Sequence, residues 1–132
     1  MGTFNSVEEA REFFKDDIFC AEMGITIDEV GEKYSICSLE IKKNHRNAAG
    51  GIMGGAIFSL ADFAFSVASN NMHKITVSLN ASIEYLNSSK GEKLTARADC
   101  LKDGRTTCVY NVDITDEFGK DIAQFTGTGY KL

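Results

Sequence analysis

Between Asn47 and Asp62 the chain carries a side-chain amide, two glycine pairs and an isolated carboxylate. Those groups suit one kind of chemistry, the polarising of a carbonyl and the delivery of a base or nucleophile to it. The run reads Asn47-Ala48-Ala49-Gly50-Gly51-Ile52-Met53-Gly54-Gly55, then Ala56-Ile57-Phe58-Ser59-Leu60-Ala61-Asp62. Glycines leading into a helix leave backbone N–H groups unblocked at its positive end and let a ligand approach the main chain closely. Gly54 and Gly55 also suit a tight turn and close packing, and both readings stand. Asp62 is more telling. A carboxylate within an apolar helix costs several kcal/mol to bury unless it is paired or reaches water. The positions three and four residues away are Phe58, Ser59, Phe65 and Ser66, none of them basic. Asp62 therefore faces a polar cleft, where burial would raise its pKa, or lies on a solvent stripe with Ser59, Ser66 and Ser69.

The elements that must hold these groups follow from periodicity. From Gly54 to about Asn70, Ile57, Leu60, Ala61, Ala64, Val67 and Ala68 recur at helical spacing, while Phe58 and Phe65 occupy a second face. Such a helix is apolar nearly all round and must be wrapped by other structure. Before it, Ser6 and Glu9 have capping-box spacing for a short helix ending near Lys15, and Ile25 to Ile41 reads as a hairpin around Gly31. After it, Ile75 to Tyr85 alternates as a long strand whose even-numbered face is polar, and Ser88 to Glu92 turns. Leu94 to Leu101 alternates again, Lys102-Asp103-Gly104-Arg105 carries an Asp-Gly hairpin signal, and two further strands flank the turn Asp116 to Gly119. The predicted class is α+β, an antiparallel meander of three or four strands curled around one long helix.

Asn47, Gly50, Gly54-Gly55 and the Leu60-Ala61-Asp62 triplet, at these separations, resemble the hotdog-fold acyl-CoA thioesterases. The likeness is to the phenylacetate-pathway branch, related to the 4-hydroxybenzoyl-CoA thioesterases. It runs from about Ile36 to Gly129 and includes the Gly91-Glu92-Lys93-Leu94-Thr95-Ala96 pattern and the Asp116-to-Ala123 turn. The resemblance implies a curved antiparallel sheet around the central helix, and roles for the matching positions. Asp62 matches the catalytic carboxylate, as general base or nucleophile, and Asn47 the asparagine that places the thioester or the attacking water. The Gly54 N–H matches the donor to the thioester carbonyl. Ser78 matches a serine that assists water in some members, and equally reads as a solvent or interface serine. Where the family commonly has histidine before the glycine pair, this chain has Met53, which cannot titrate or donate as histidine does. His45, eight residues earlier, reads as a surface histidine and not as its substitute.

Gly54 and Asp62 are eight residues apart on one helix, roughly 12 Å at 1.5 Å per residue. A carbonyl donor and a base must each lie within about 3 Å of atoms that are themselves close neighbours. Two chains about a twofold axis can meet that demand, which predicts a homodimer or a dimer-of-dimers tetramer with shared sites. The acyl group would lie against Met53, Phe58 and Phe65, close to Gly55, and Lys90, Lys102 and Arg105 could meet the phosphates of coenzyme A.

The bulk numbers close off other functions. At 132 residues, 43% apolar and 25% charged, the chain is expected to form one domain over 1–132 with a core that needs no disulfide or metal. The apolar stretch Ala56 to Ala68 contains Asp62 and is too short to span a bilayer, and Met1 to Glu9 lacks a secretory pattern, so a cytoplasmic location is expected. Cys20, Cys37, Cys100 and Cys108 form no CxxC pair and have only His45 and His73 beside them, which argues for reduced, mostly buried thiols and against zinc. A net charge of −5 offers no nucleic-acid surface. The expected function is hydrolysis of an acyl or aryl-acyl thioester, with coenzyme A as part of the substrate and no further cofactor. The alternatives are a non-catalytic acyl-CoA-binding or sensing protein, which Met53 favours, and a hotdog hydratase or dehydratase, which would want a histidine on the central helix.

Overall fold

Ser6 accepts the Glu9 N–H at 3.1 Å and starts helix α1 (Val7–Phe14), with Lys15 at its end as the spacing predicts. The computed structural model, which describes residues 2–132, then adds a second helix, α2 (Ile18–Met23), that the residue pattern does not reveal. Six residues are too few to display a helical period, and the legible signal is the left-handed Gly24 (φ 91°) that closes it. The hairpin follows as β1 (Thr26–Gly31) and β2 (Tyr34–Glu40). The long helix is α3 (Gly54–Met72), two residues longer than predicted. Four strands complete the chain, β3 (Thr76–Tyr85), β4 (Lys93–Asp103), β5 (Thr107–Asp116) and β6 (Asp121–Lys131).

The sheet is antiparallel throughout, in the order β1-β2-β4-β5-β6-β3. Only β4-β5-β6 is a meander. The first strand after the helix, β3, pairs with β6 and so takes one edge, while β1 takes the other. The helix lies against the concave face and buries Ile57, Leu60, Ala61, Ala64, Val67 and Ala68, with Phe63 and Phe65 buried on its flanks. Helix and sheet thus solve each other's burial problem, and the arrangement is an α+β hotdog fold. No helix among the described residues is long and apolar enough to cross a membrane.

Phe65 corrects one expectation. It is 1% exposed, meets Tyr110 edge-on at 5.7 Å between centroids and tilts against Phe125 at 6.2 Å. Gly127 and Gly129 on β6 make the room it needs, since a Cβ there would lie 3.0 and 3.2 Å from its ring. It is a core residue with no surface to offer an acyl chain. Phe58, half-buried and edge-on to Phe125 at 5.4 Å, keeps a partly open face.

Strand β3 departs from simple alternation. Its register shifts between Ser78 and Asn80, a bulge that exchanges the two faces, and Val77 (41% exposed) and Leu79 (59%) stand open to solvent. Ser78 is exposed too.

Because Phe65 fills the space between helix and sheet, Phe65→Ala should cost about 3–5 kcal/mol of stability. Urea unfolding gives the measure, and a loss below about 1 kcal/mol would place the ring outside the core.

Candidate active site

The loop before α3 is built by Asn47. Its Oδ1 accepts the N–H groups of Ala49 and Gly51, both at 3.0 Å, its own N–H donates to the Gly51 carbonyl at 2.8 Å, and Gly50 takes a positive φ of 87°. Two amide donors fix which end of the side chain is oxygen. The Nδ2 group therefore stands as the spare donor, with no partner among the described residues. At the helix start, Met53 donates its N–H to the His45 carbonyl at 2.8 Å but offers no side-chain cap. The N–H groups of Gly54 and Gly55 have no acceptor among the described residues, which leaves them at the positive end of a 19-residue helix.

These donors border a cleft of about 390 Å³ lined by Asn47, Gly54, Ile57, Tyr85, Leu86 and Ser88, among others. Sequence spacing does not single out Tyr85. Its hydroxyl donates to the Gly54 carbonyl at 3.0 Å, and a Cβ on Gly54 would come within 3.3 Å of its ring, so a side chain at 54 would press on the tyrosine. An aromatic closing a strand just before a turn is the one signal that points to it. Gly55 and Met53 flank the cleft's rim, both exposed, Met53 at 48%.

Asp62 is not a wall of this cleft. It is partly buried on α3 with no hydrogen bond or cation partner among the described residues, and its oxygens reach solvent, since no buried side-chain oxygen among those residues goes unpaired. Its neighbours are Asp17, at the start of α2, and Cys20. Burial first, and the Asp17 charge second, raise its pKa above the ordinary carboxylate value. Burial and Asp17 likewise push the Cys20 thiol up to about 12, which removes it as a nucleophile. Cys37 and Cys108 are buried and Cys100 half-buried, all four as free thiols.

Other candidates are dispersed. Lys90 is exposed on the loop that carries Ser88 and Ser89, at the cleft. Lys102 and Arg105, exposed at the far end of β4, lie roughly 30 Å from that end of the sheet at 3.3 Å per residue, so one protomer cannot bring all three cations to one cleft. Ser78 is about 20 Å up β3 from Tyr85 by the same measure and stands apart from Gly54. His45 is not on the surface. At 3% exposure its Nδ1 accepts the Lys42 N–H at 2.8 Å and its Nε2 donates to the Met23 carbonyl at 2.8 Å, which locks the loop to the end of α2. No cluster of metal-ligating side chains occurs among the described residues.

Residues 49–123 match the Thioesterase superfamily, and the chain belongs to that family. It is 36% identical over 128 residues to a putative esterase of Archaeoglobus fulgidus, covering 96% of this chain and 83% of that one. It is 28% identical over 126 residues to the acyl-coenzyme A thioesterase PaaI of Escherichia coli, covering 95% and 90%. The structure of that PaaI protein superposes with a TM-score of 0.88 at 27% identity over 93% of this chain and 90% of that one. A hypothetical thioesterase from Streptococcus pneumoniae, solved with coenzyme A, superposes with a TM-score of 0.81 at 29% identity over 89% and 94%. The chain is a thioester hydrolase of PaaI-like hotdog fold.

The raised Asp62 pKa gives a signed prediction. The folded state holds this proton more tightly than the unfolded chain, so Asp62 lowers stability progressively as pH rises from the ordinary carboxylate value through its folded pKa. Asp62→Asn should therefore melt above the native protein at pH 7, with the gap closing below the ordinary carboxylate pKa. A native protein that melts higher at pH 7 would show Asp62 to be well paired. In carboxyl NMR titrations, Asp17→Asn should move the Asp62 midpoint down.

Proposed function

We propose that this chain hydrolyses acyl-CoA thioesters to free acid and coenzyme A at sites shared between two copies of the chain. The observation that carries the reading is the start of α3, where the unpaired Gly54 and Gly55 amides and the spare Asn47 donor border one cleft. Donors so placed hold a thioester carbonyl and gain strength as its oxygen becomes an anion. The names of the relatives and the coenzyme A bound by the pneumococcal neighbour support acyl-CoA as the substrate.

In the proposed reaction Asp62 takes a proton from water, and the hydroxide attacks the carbonyl carbon. The tetrahedral oxyanion rests on the Gly54 N–H and Asn47 Nδ2, then collapses, breaking the carbon–sulfur bond. Coenzyme A leaves as thiolate and recovers the proton from Asp62. Direct attack by the Asp62 carboxylate, followed by hydrolysis of the anhydride, uses the same placement. No metal or redox cofactor is called for. A raised Asp62 pKa serves a base, because its conjugate acid must give the proton back near neutral pH.

Two copies are invoked because Asp62 lies two helical turns from Gly54 and outside its cleft. The β3 edge, unpaired on one side and carrying Val77 and Leu79 in the open, is a surface that a second copy would cover, as a dimer or within a dimer of dimers. Phe58 and Met53 would meet the acyl group, Lys90 the carrier's phosphates, and Ser78, remote from its own chain's cleft, could serve only the partner's. Met53 in place of a titrating residue favours one further reading, an acyl-CoA-binding module without turnover.

Thiol release from an acyl-CoA panel tests the activity, and Asp62→Asn should lower kcat by about 10²–10⁴. Native binding without turnover would establish the binding module. Equal turnover by Asp62→Asn would remove Asp62 from the chemistry. Mixing and refolding Asp62→Asn with Asn47→Ala chains should restore about a quarter of native activity, because half the dimers would then hold one intact site of two. No recovery would contradict the sharing.

A further inference from the structure

Two segments that stand out in the sequence, Gly91-Glu92-Lys93 and the turn after Asp116, have no task in the chemistry above, and the fold clips them together. Residues 86–92 form neither helix nor strand. They begin against β6, where Leu86 donates its N–H to the Ile122 carbonyl at 2.8 Å and Asn87 Nδ2 to the Asp121 carbonyl at 2.8 Å. Between Asn87 and Glu92, whose carbonyl accepts the Ile41 N–H at 2.7 Å, side chains take over. Ser89 Oγ donates to Asp116 Oδ2 at 2.6 Å and accepts the Gly91 N–H at 2.9 Å. The Glu117 carboxylate accepts the Glu92 N–H at 2.9 and 3.2 Å and the Lys93 N–H at 3.3 Å. Asp116 is itself fixed, since its Oδ1 accepts from Phe118 and Lys120 N–H at 3.0 and 2.9 Å.

Position 91 lies directly against the clip. A Cβ on Gly91 would lie 2.1 Å from Glu117 Oε1 and 3.1 Å from Ser89 Oγ, so any other residue expels the carboxylate. The Ser89 hydroxyl and the Glu92 N–H, respectively, hold the Asp116 and Glu117 carboxyls below the usual carboxylate range, as ionised acceptors. The same loop shows its other side to the substrate cleft, which Leu86, Asn87, Ser88 and Ser89 line, and it carries Lys90 exposed at its crest.

We propose that Asp116 and Glu117 are positioning residues for the carrier half of the substrate, acting through the 86–92 loop that walls the Gly54 cleft. The proposal rests on the reading of that cleft as the acyl-CoA site. Neither carboxylate lines the cleft. Each holds the middle of a wall that backbone bonds tie only at its ends, at Leu86 and Asn87 to β6 and at Glu92 to the Ile41 N–H, while Gly54, Asn47 and Asp62 are fixed independently by the loop before α3 and by α3 itself. Loss of the clip should therefore weaken carrier binding and leave the chemical step alone.

Two variants break the clip by different routes, Glu117→Ala by removing the acceptor and Gly91→Ala by displacing it. Both should raise KM for acyl-CoA about three- to fivefold, the size of an exposed charged contact acting through the loop, with kcat within about twofold of native. Glu117→Gln, which keeps one acceptor oxygen, should raise KM less. Amide hydrogen exchange should quicken over 86–92 in both variants, and calorimetry with coenzyme A itself should show the same fall in affinity. A merely structural clip would lower the unfolding midpoint without this KM and kcat split. Unchanged KM with faster exchange would overturn the proposal, as would unchanged exchange. Absence of turnover by the native chain would sink the hydrolase reading alone. Exchange and coenzyme A affinity would then still decide, with weaker binding by both variants supporting the clip and equal or absent binding overturning it.

Discussion

An ionisable carboxylate on a helix that is otherwise apolar nearly all round, relieved only by serines and a terminal Asn70-Asn71 pair, is the constraint around which this molecule is arranged. Asp62 cannot be enclosed, because no cation among the described residues reaches it, and it cannot be fully solvated, because α3 is wrapped by the sheet. The fold leaves it partly buried beside α2, where Asp17 adds a second negative charge instead of relieving the first. A protein selected for stability alone gains nothing from such a pair. Retaining it is understandable where a base with a raised pKa is useful.

The other half of the chemistry is made by backbone. Asn47 spends its oxygen in holding its own loop, which leaves a donor over, and Gly54 and Gly55 begin α3 without acceptors for their N–H groups. The buried His45 ring ties that loop to α2. The loop that carries the carbonyl donors is therefore hydrogen-bonded to α2, the helix beside Asp62, while donors and carboxylate face different surroundings. Rigid placement of two half-sites on one helix is what lets a symmetric pair of chains, as proposed, complete two sites at once.

Much of this is legible in the order and spacing of the residues. The central helix declares itself by apolar spacing that runs nearly all round, the strands by alternation, and the site by Asp62 without a cationic neighbour. What spacing does not carry depends on tertiary contact. Phe65 has helical spacing suited equally to a pocket wall or a core, and the glycines on β6 that decide the matter are more than sixty residues away. His45 reads as exposed because nothing local predicts the Met23 carbonyl beside it. Helix α2 is too short to show a period. The place of β3 at the edge follows from pairing with β6, the strand most distant from it in sequence among those that follow. Lys102 and Arg105 read as plausible phosphate contacts only until the length of β4 separates them from Lys90.

The central claim is that carbonyl donors and base come from different chains, and protein concentration is the variable that reaches it directly. Specific activity and sedimentation followed together over a dilution series should fall in step, with activity vanishing as the monomer becomes the only species. Full specific activity in a sample that sediments entirely as monomer would contradict the account and require Gly54 and Asp62 to act within one chain.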